Sequence, residues 1–327
     1  MQALRNSEKT RILAPTAGQL WEEGKDEKGR YAGGKWGGRY LRAPDIYFRV
    51  LQQAGDRLVR LGEVAEVRFG IKTGANDFFY LEVLPYRPVC PCCREVHPEA
   101  LIKEEEAAYR ERGEAPPEGA LVAVRNEAGW EGYLEAGSLR PIIKSYREWA
   151  DDPDRVPSPR LFVYAKGNHS DAYLRHGEET AIPLRTSVGA RSPWWKLSPL
   201  TPPTAIVPAG VDREYLFLPN QKGFLIDKRL YGLFHVEPVV VRLMNTALFK
   251  LSLEVLVRTG LGGGLADFTV YEYKQGLLLN PKLLPDPDAE ATDTQVAKIL
   301  GLNDQERREL LLALEQLIRE RVSRANT

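Results

Sequence analysis

The sequence predicts a mixed α+β protein with twisted, mostly antiparallel sheets, a long central helix and a C-terminal helix. Short runs rich in aromatic and β-branched residues, such as DFFYLEVL and PRLFVYAKG, are bounded by turn-forming residues and read as strands. The stretch EPVVVRLMNTALFKLSLEVLVRTG places Val240, Leu243, Ala247, Leu251, Val255 and Leu256 at helical spacing, with Gly260 as its cap. LNDQERRELLLALEQLIRERVSRA is amphipathic, with Asn303 or Asp304 as its N-cap.

In chain order, WEEGKDEKGRYAGGKWGG reads as a charged, glycine-rich loop. APDIYFRVLQQAG follows as a short helix, with a proline in its first turn and Gly55 after it. The second half of LVRLGEVAEVRFG and then DFFYLEVL form a strand–loop–strand unit around GIKTGAN. Residues 85–137 read as an insertion, containing the helical EEEAAYRER and the short strands ALVAVRN and GWEGYLE. HSDAYLRHGEE is a short helix, and three strand-like runs separated by Pro, Gly and Asn turns lie between Pro203 and Phe234. NPKLLPDPDAEATD reads as a linker. The expected organisation is an N-terminal linker and helical segment over 1–55, a main domain over 56–285, and a C-terminal linker and helix over 286–327.

A chain of 327 residues with 43% apolar content is long enough for a substantial core or two domains. No apolar run approaches the roughly 20 residues of a membrane span, and the N-terminus lacks a signal-peptide pattern, so a cytoplasmic protein with no membrane partner is expected. The 45 basic residues balance the 45 acidic ones, but the charge is segregated. Arg30 to Arg49 holds five basic residues against Asp45 alone, while Lys103 to Glu118 holds three basic against six acidic. That pattern fits a basic face on a neutral protein, and equally an unevenly charged solvated surface.

The three cysteines fall together in VCPCCREVHPEA. Cys90 and Cys93 have C-x-x-C spacing, with His97 four residues on, which is half of a zinc knuckle. No second Cys pair exists, and His169, His176 and His235 are too distant in sequence to be assigned as a fourth ligand. A metal-free loop is the alternative.

Enzymatic motifs fail on their spacing. GIKTG lacks the G-x-x-x-x-G-K-[ST] pattern of a phosphate loop, and GLGGGLADF follows a helix where a dinucleotide fingerprint would follow a strand. FLIDKRL offers Asp227 and Lys228, but a metal-dependent nuclease needs a second spaced carboxylate. What remains suits a charged polymer. RFGIKTGAND supplies Arg68, Lys72, Thr73 and Asn76 around Gly70 and Gly74, where backbone N–H groups can approach a phosphate. PIIKSYRE supplies Lys144 and Arg147; PLRTSVGARSPWWKL supplies Arg185, Ser187, Arg191, Trp195 and Lys196. Arginine and asparagine suit guanine and adenine edges. A solvated face accounts equally well for Lys144 and Arg147, and core packing for at least one of Trp194 and Trp195.

The segments KWGGRYLRAPDIYFRVL, LGEVAEVRFGIKTGANDFFYL, LRPIIKS, SPWWKL and LMNTALFKLSLEVLVRTGLGGGLADFTVYE, in this order, resemble the C-terminal target-recognition region of adenine-N6 DNA methyltransferases of type II restriction–modification systems. The resemblance runs from about Trp36 to Ala325 and is weakest around the cysteines. It implies a target-recognition-domain fold for 56–285 that binds double-stranded DNA, with GIKTGANDFFY near the DNA. Such enzymes methylate through a [D/N/S]-P-P-[Y/F] motif, whereas the Pro-Pro pairs here, Pro116–Pro117 and Pro202–Pro203, stand in EAPPEG and LTPPTA. The implied catalytic domain, which would bind S-adenosylmethionine, lies elsewhere, in cis or in trans. No catalytic residue or cofactor beyond a possible zinc is therefore expected in this sequence. A free-standing metal-dependent nuclease and a zinc-containing interaction scaffold are the alternatives.

Overall fold

Short, nearly continuous apolar runs, buried on both faces, build the largest sheet among the described residues. A computed structural model describes residues 3–7, 10–13, 15–25, 29–31, 37–117, 119–257, 264–286 and 291–323. The chain divides into two compact units, one of Met1–Val67, Pro208–Pro219 and His235–Thr327, the other of Arg68–Val207 and Asn220–Phe234.

The second unit contains a six-stranded sheet in the order Leu225–Ile226, Leu139–Ile143, Pro159–Phe162, Tyr80–Val83, Leu121–Asn126, Glu131–Glu135. Only the first pairing is parallel. The segment read as an insertion thus supplies two of the six strands. Val122, Val124, Leu134, Leu161 and Phe162 belong to one buried core cluster around the sheet. The helix Asn168–Glu179 contributes Tyr173 to that core. Its ring stacks on Phe78 with centroids 4.4 Å apart, and its hydroxyl donates to the Phe78 carbonyl at 2.7 Å. Asn126 in turn donates to the Tyr173 oxygen at 2.9 Å, so the buried hydroxyl is satisfied. On the acidic helix Lys103–Glu111, Glu106 is buried between Arg160, 2.6 Å away, and Arg110, 3.0 Å away. Burial raises a carboxyl pKa, but the two guanidiniums outweigh it and hold Glu106 below the usual range.

The first unit is mainly helical. Its helices include Asp45–Ala54, closed by Gly55 at φ 57°, and the terminal helix Asp304–Ser323. Asn303 caps the latter by accepting from the Gln305 and Glu306 amides at 2.9 Å. The strands Leu58–Arg60 and Leu277–Leu279 pair antiparallel. A buried ion pair joins two distant parts of this unit: Arg321 lies 2.8 Å from Glu254, which also accepts from the Tyr215 hydroxyl at 2.6 Å.

Several elements differ from the sequence expectation. The central helix comes as two, Pro238–Met244 and Ala247–Leu256. Asn245 separates them because its side chain is committed to the Phe217 backbone, donating to the carbonyl at 2.8 Å and accepting from the amide at 3.1 Å. DFFYLEVL begins as a helical turn, Asn76–Phe79, before the strand starts at Tyr80. The Ala75 carbonyl accepts from the Phe78 and Phe79 amides, and the turn buries both rings. WEE belongs to a helix, Ala17–Glu23, under a Thr16 capping box, and the linker after Asn280 gives way to a helix, Asp293–Leu300, capped by Thr292. Gly260, Gly262 and Gly263 lie outside the described residues.

Truncating one partner of the Glu254–Arg321 pair leaves the other as a buried uncompensated charge, at a cost on the order of 3–5 kcal/mol. Urea denaturation of Glu254→Ala and of Arg321→Ala should each show a loss of that order, and the double replacement Glu254→Leu with Arg321→Met a smaller one.

Candidate nucleic-acid interface

The Gly70–Ala75 loop is defined by close backbone approach. Ile71 forms a parallel bridge with Asp227: the Ile71 amide donates to the Ile226 carbonyl at 2.7 Å, and the Lys228 amide donates to the Ile71 carbonyl at 3.1 Å. A Cβ on Gly70 would stand 2.3 Å from the Asp227 carbonyl oxygen and 2.4 Å from that of Ile226. Gly74 has φ +77°, and a Cβ there would meet the Ser187 hydroxyl at 2.6 Å. The two glycines read as openings toward a phosphate are therefore occupied by contacts within the protein.

A second segment braces the loop from the other side. Arg185 holds Asp77 through two hydrogen bonds, one of them at 2.7 Å. Ser187 donates to the Gly74 carbonyl at 3.3 Å, and Arg191 donates to the Thr73 carbonyl at 2.6 Å while lying over the Phe79 ring. Burial lowers the Arg191 pKa, and its Nε and Nη1 are buried with no hydrogen-bond partner among the described residues. Thr73 is itself buried, its hydroxyl donating to Asn76 and accepting from the Ala75 amide at 3.3 Å. Arg185, Ser187, Arg191, Thr73 and Asn76 are thus brought together as loop supports.

The other residues singled out by sequence are placed variously. Arg68 lies over the Phe234 ring, 3.8 Å from its centroid. Lys144 pairs with Glu127 and sits 4.4 Å from the Tyr80 ring centroid. Trp195 packs on Tyr164, and Trp194 on Phe78 and Phe79. Lys72, Arg147 and Lys196 are exposed.

The bridge adds two basic residues that sequence reasoning did not assign to this face. Beside Lys72 it sets Lys228 and Arg229, both exposed. Beneath them Asp227 is fully buried and accepts from the Tyr80 hydroxyl and from the Arg229 amide and Nε, each of the latter two at 2.9 Å. Burial and then the Asp227 hydrogen bond raise the Tyr80 pKa, keeping the phenol protonated. Asp227 is a buried anchor; Lys72 and Lys228 are exposed on the backbone it holds, and the Arg229 guanidinium is paired to its carboxylate through Nε while the side chain stays largely exposed. Such a group can neutralise phosphates, and the rigid loop fixes where it does so.

The cysteines lie elsewhere in the same unit. Cys93 Sγ is 3.2 Å from His97 Nε2, and Cys90 Sγ is 3.0 Å from Cys92 Sγ. Among the described residues, the one group of His, Cys, Asp or Glu donor atoms close enough to hold a metal ion is Cys90, Cys92, Cys93 and His169. Asp227 is outside that group. Cys92 and His169 were not assigned from sequence, because the loop meets the Asn168–Glu179 helix only in the folded unit.

No family model matches the chain, and no curated protein matches it. Among solved structures, the type IIG restriction endonuclease BpuSI is similar to it, with a TM-score of 0.45 and 10% identity over 92% of this chain. The chain spans 35% of that protein's length.

Two outcomes follow from the loop geometry. Gly70→Ala forces backbone apart and should cost roughly 1–3 kcal/mol, the range of overpacked sites, read by thermal or chemical denaturation. The Asp77 carboxyl is held below its ordinary range first by the Arg185 hydrogen bond, against the opposing effect of burial. The brace therefore contributes at neutral pH and is lost as pH falls through that depressed value. Amide protection factors across Thr73–Asn76, which correct for the intrinsic slowing of exchange in acid, should fall on acidification in the wild type and show no such step in Asp77→Asn.

Proposed function

We propose that this chain is the target-recognition part of an adenine-N6 DNA methyltransferase of a restriction–modification system. It binds a short double-stranded DNA sequence and serves a catalytic domain supplied in cis or in trans, which holds the S-adenosylmethionine. The observation that carries this reading is the placement of Lys72, Lys228 and Arg229 on a backbone bridge immobilised by Asp227, Arg185 and Arg191. The run GIKTGANDFFY, the most specific part of the resemblance to such enzymes, is the same segment that forms this loop.

Affinity on this reading comes from lysine and arginine contacts to phosphates, so it is salt-dependent. Arg185 and Arg191 act by shaping the loop; direct contact falls to exposed groups, Lys72 first, with Arg147 and Lys196 as further contacts from sequence. A free-standing nuclease is less well supported, since Asp227 spends its carboxylate on Tyr80 and Arg229.

Selection of bound duplexes from a random library at two salt concentrations tests the proposal. The expected result is an enriched motif whose binding weakens steeply with salt; absence of binding at low salt refutes it. Lys72→Ala and Lys228→Ala should each weaken binding about equally across sequences and reduce the salt slope by about 1.

A further inference from the structure

The turn that holds the cysteines is tightly determined. The Cys90 amide donates to the Glu95 carbonyl and the Arg94 amide to the Cys90 carbonyl, both at 2.8 Å. Arg94 takes φ 62°, a left-handed conformation unusual for a residue with a side chain. Tyr133 fastens the turn to the sheet by donating to the Pro88 carbonyl at 2.6 Å and accepting from the His97 amide at 3.3 Å. The turn gathers the Cys90, Cys92 and Cys93 sulfurs in one place, with a ring nitrogen of His169 joining them from the Asn168–Glu179 helix; the four donor atoms lie within 4.8 Å of one another.

His169 is held in a fixed orientation from behind. Glu135 accepts from the His169 and Ser170 amides, and its carboxylate lies 3.7 Å from His169 Nδ1. Nε2, the other ring nitrogen, is buried and has no hydrogen-bond partner among the described residues. A buried imidazole nitrogen left unpaired beside three thiols, with a carboxylate behind the opposite nitrogen, has the polarity of a metal-ligating histidine and its outer carboxylate.

We infer that Cys90, Cys92, Cys93 and His169 form a structural Cys₃His site for a zinc-like divalent cation, which fastens the 88–97 turn to the Asn168–Glu179 helix. Tetrahedral zinc with sulfur and nitrogen ligands sets donor atoms roughly 3.5–3.8 Å apart, so small side-chain rotations bring this group to that geometry. Binding expels three thiol protons to solvent and involves no change of oxidation state. Three thiolates and one dication carry a net charge of −1, and His97 Nε2, 3.2 Å from Cys93 Sγ, donates to that sulfur rather than ligating the ion. Four protein ligands close the shell, leaving no position for a reacting water, so the site is structural. It stands apart from the proposed DNA face and does not rest on that reading.

The test is metal content of the full chain, purified under reducing conditions, supplied with zinc and passed over a weak chelator. One zinc per chain is expected for the wild type, for His97→Gln and for His176→Gln, and none for Cys92→Ser or His169→Gln. Cobalt in place of zinc should give the intense visible absorption of a tetrahedral thiolate site, lost in the same two variants. Cys92 is exposed, so Cys92→Ser decides the matter even if His169→Gln does not fold. Zinc-free wild type with all three thiols reduced overturns the inference. So does full zinc in Cys92→Ser and His169→Gln with loss in His97→Gln, which would assign the ion to Cys90, Cys93 and His97.

Discussion

Gly70 lies so close to the carbonyl oxygens of Ile226 and Asp227 that a single methyl has no room between them. The Ile71–Asp227 bridge requires that approach, and the bridge is what sets Lys72 beside Lys228 and Arg229. Two acids then secure what the glycine permits. Asp227 holds the floor of the cluster through Tyr80 and Arg229, and Asp77 holds the loop's end through Arg185. A loop braced at both ends has a backbone that would not need ordering on binding, which on the proposed reading spares part of the entropic cost of recognition.

This division of labour changes what the arginines mean. An exposed arginine near a glycine loop invites assignment to a guanine edge, yet Arg185 and Arg191 spend donors on Asp77 and on the Thr73 carbonyl. Their observed role is geometric, fixing the loop. On the proposed reading, contacts from exposed lysines would supply sequence-independent attraction, and discrimination between bases would have to come from side chains that reach a groove once the duplex is seated. The cysteine turn belongs to the same unit and is fastened to a different edge of it, where Tyr133, Glu135 and His169 meet.

Much of the fold was legible in the sequence because local rules suffice for it. Strands with β-branched and aromatic runs, the Asn303 cap and Gly55 at a helix end all follow from nearby residues. Two of the misread elements depend on distant partners, whereas the helices after Thr16 and Thr292 start at local capping boxes with Gln19 and Gln295 that the loop and linker readings passed over. Nothing near Asn245 demands a helix break; the Phe217 backbone does. The turn at Asn76–Phe79 looks like strand because phenylalanine favours strands, while its conformation follows from burying both rings against Tyr173 and Trp194. For the candidate site the same distinction holds. Exposure of Lys72 in a glycine-bounded loop was readable, but Arg185 finds Asp77 across 108 residues, and His169 reaches the cysteines only through helix packing.

The central claim is that the Ile71–Asp227 bridge forms the DNA-facing surface. Lysine acetylation footprinting with and without bound duplex, read peptide by peptide in a mass spectrometer, tests it most directly. The account predicts that Lys72 and Lys228 lose reactivity together when DNA is bound, while Lys103 and Lys298 are unchanged. Equal labelling of Lys72 and Lys228 in free and fully bound protein would contradict it, and the lysines protected instead would mark the true contact surface.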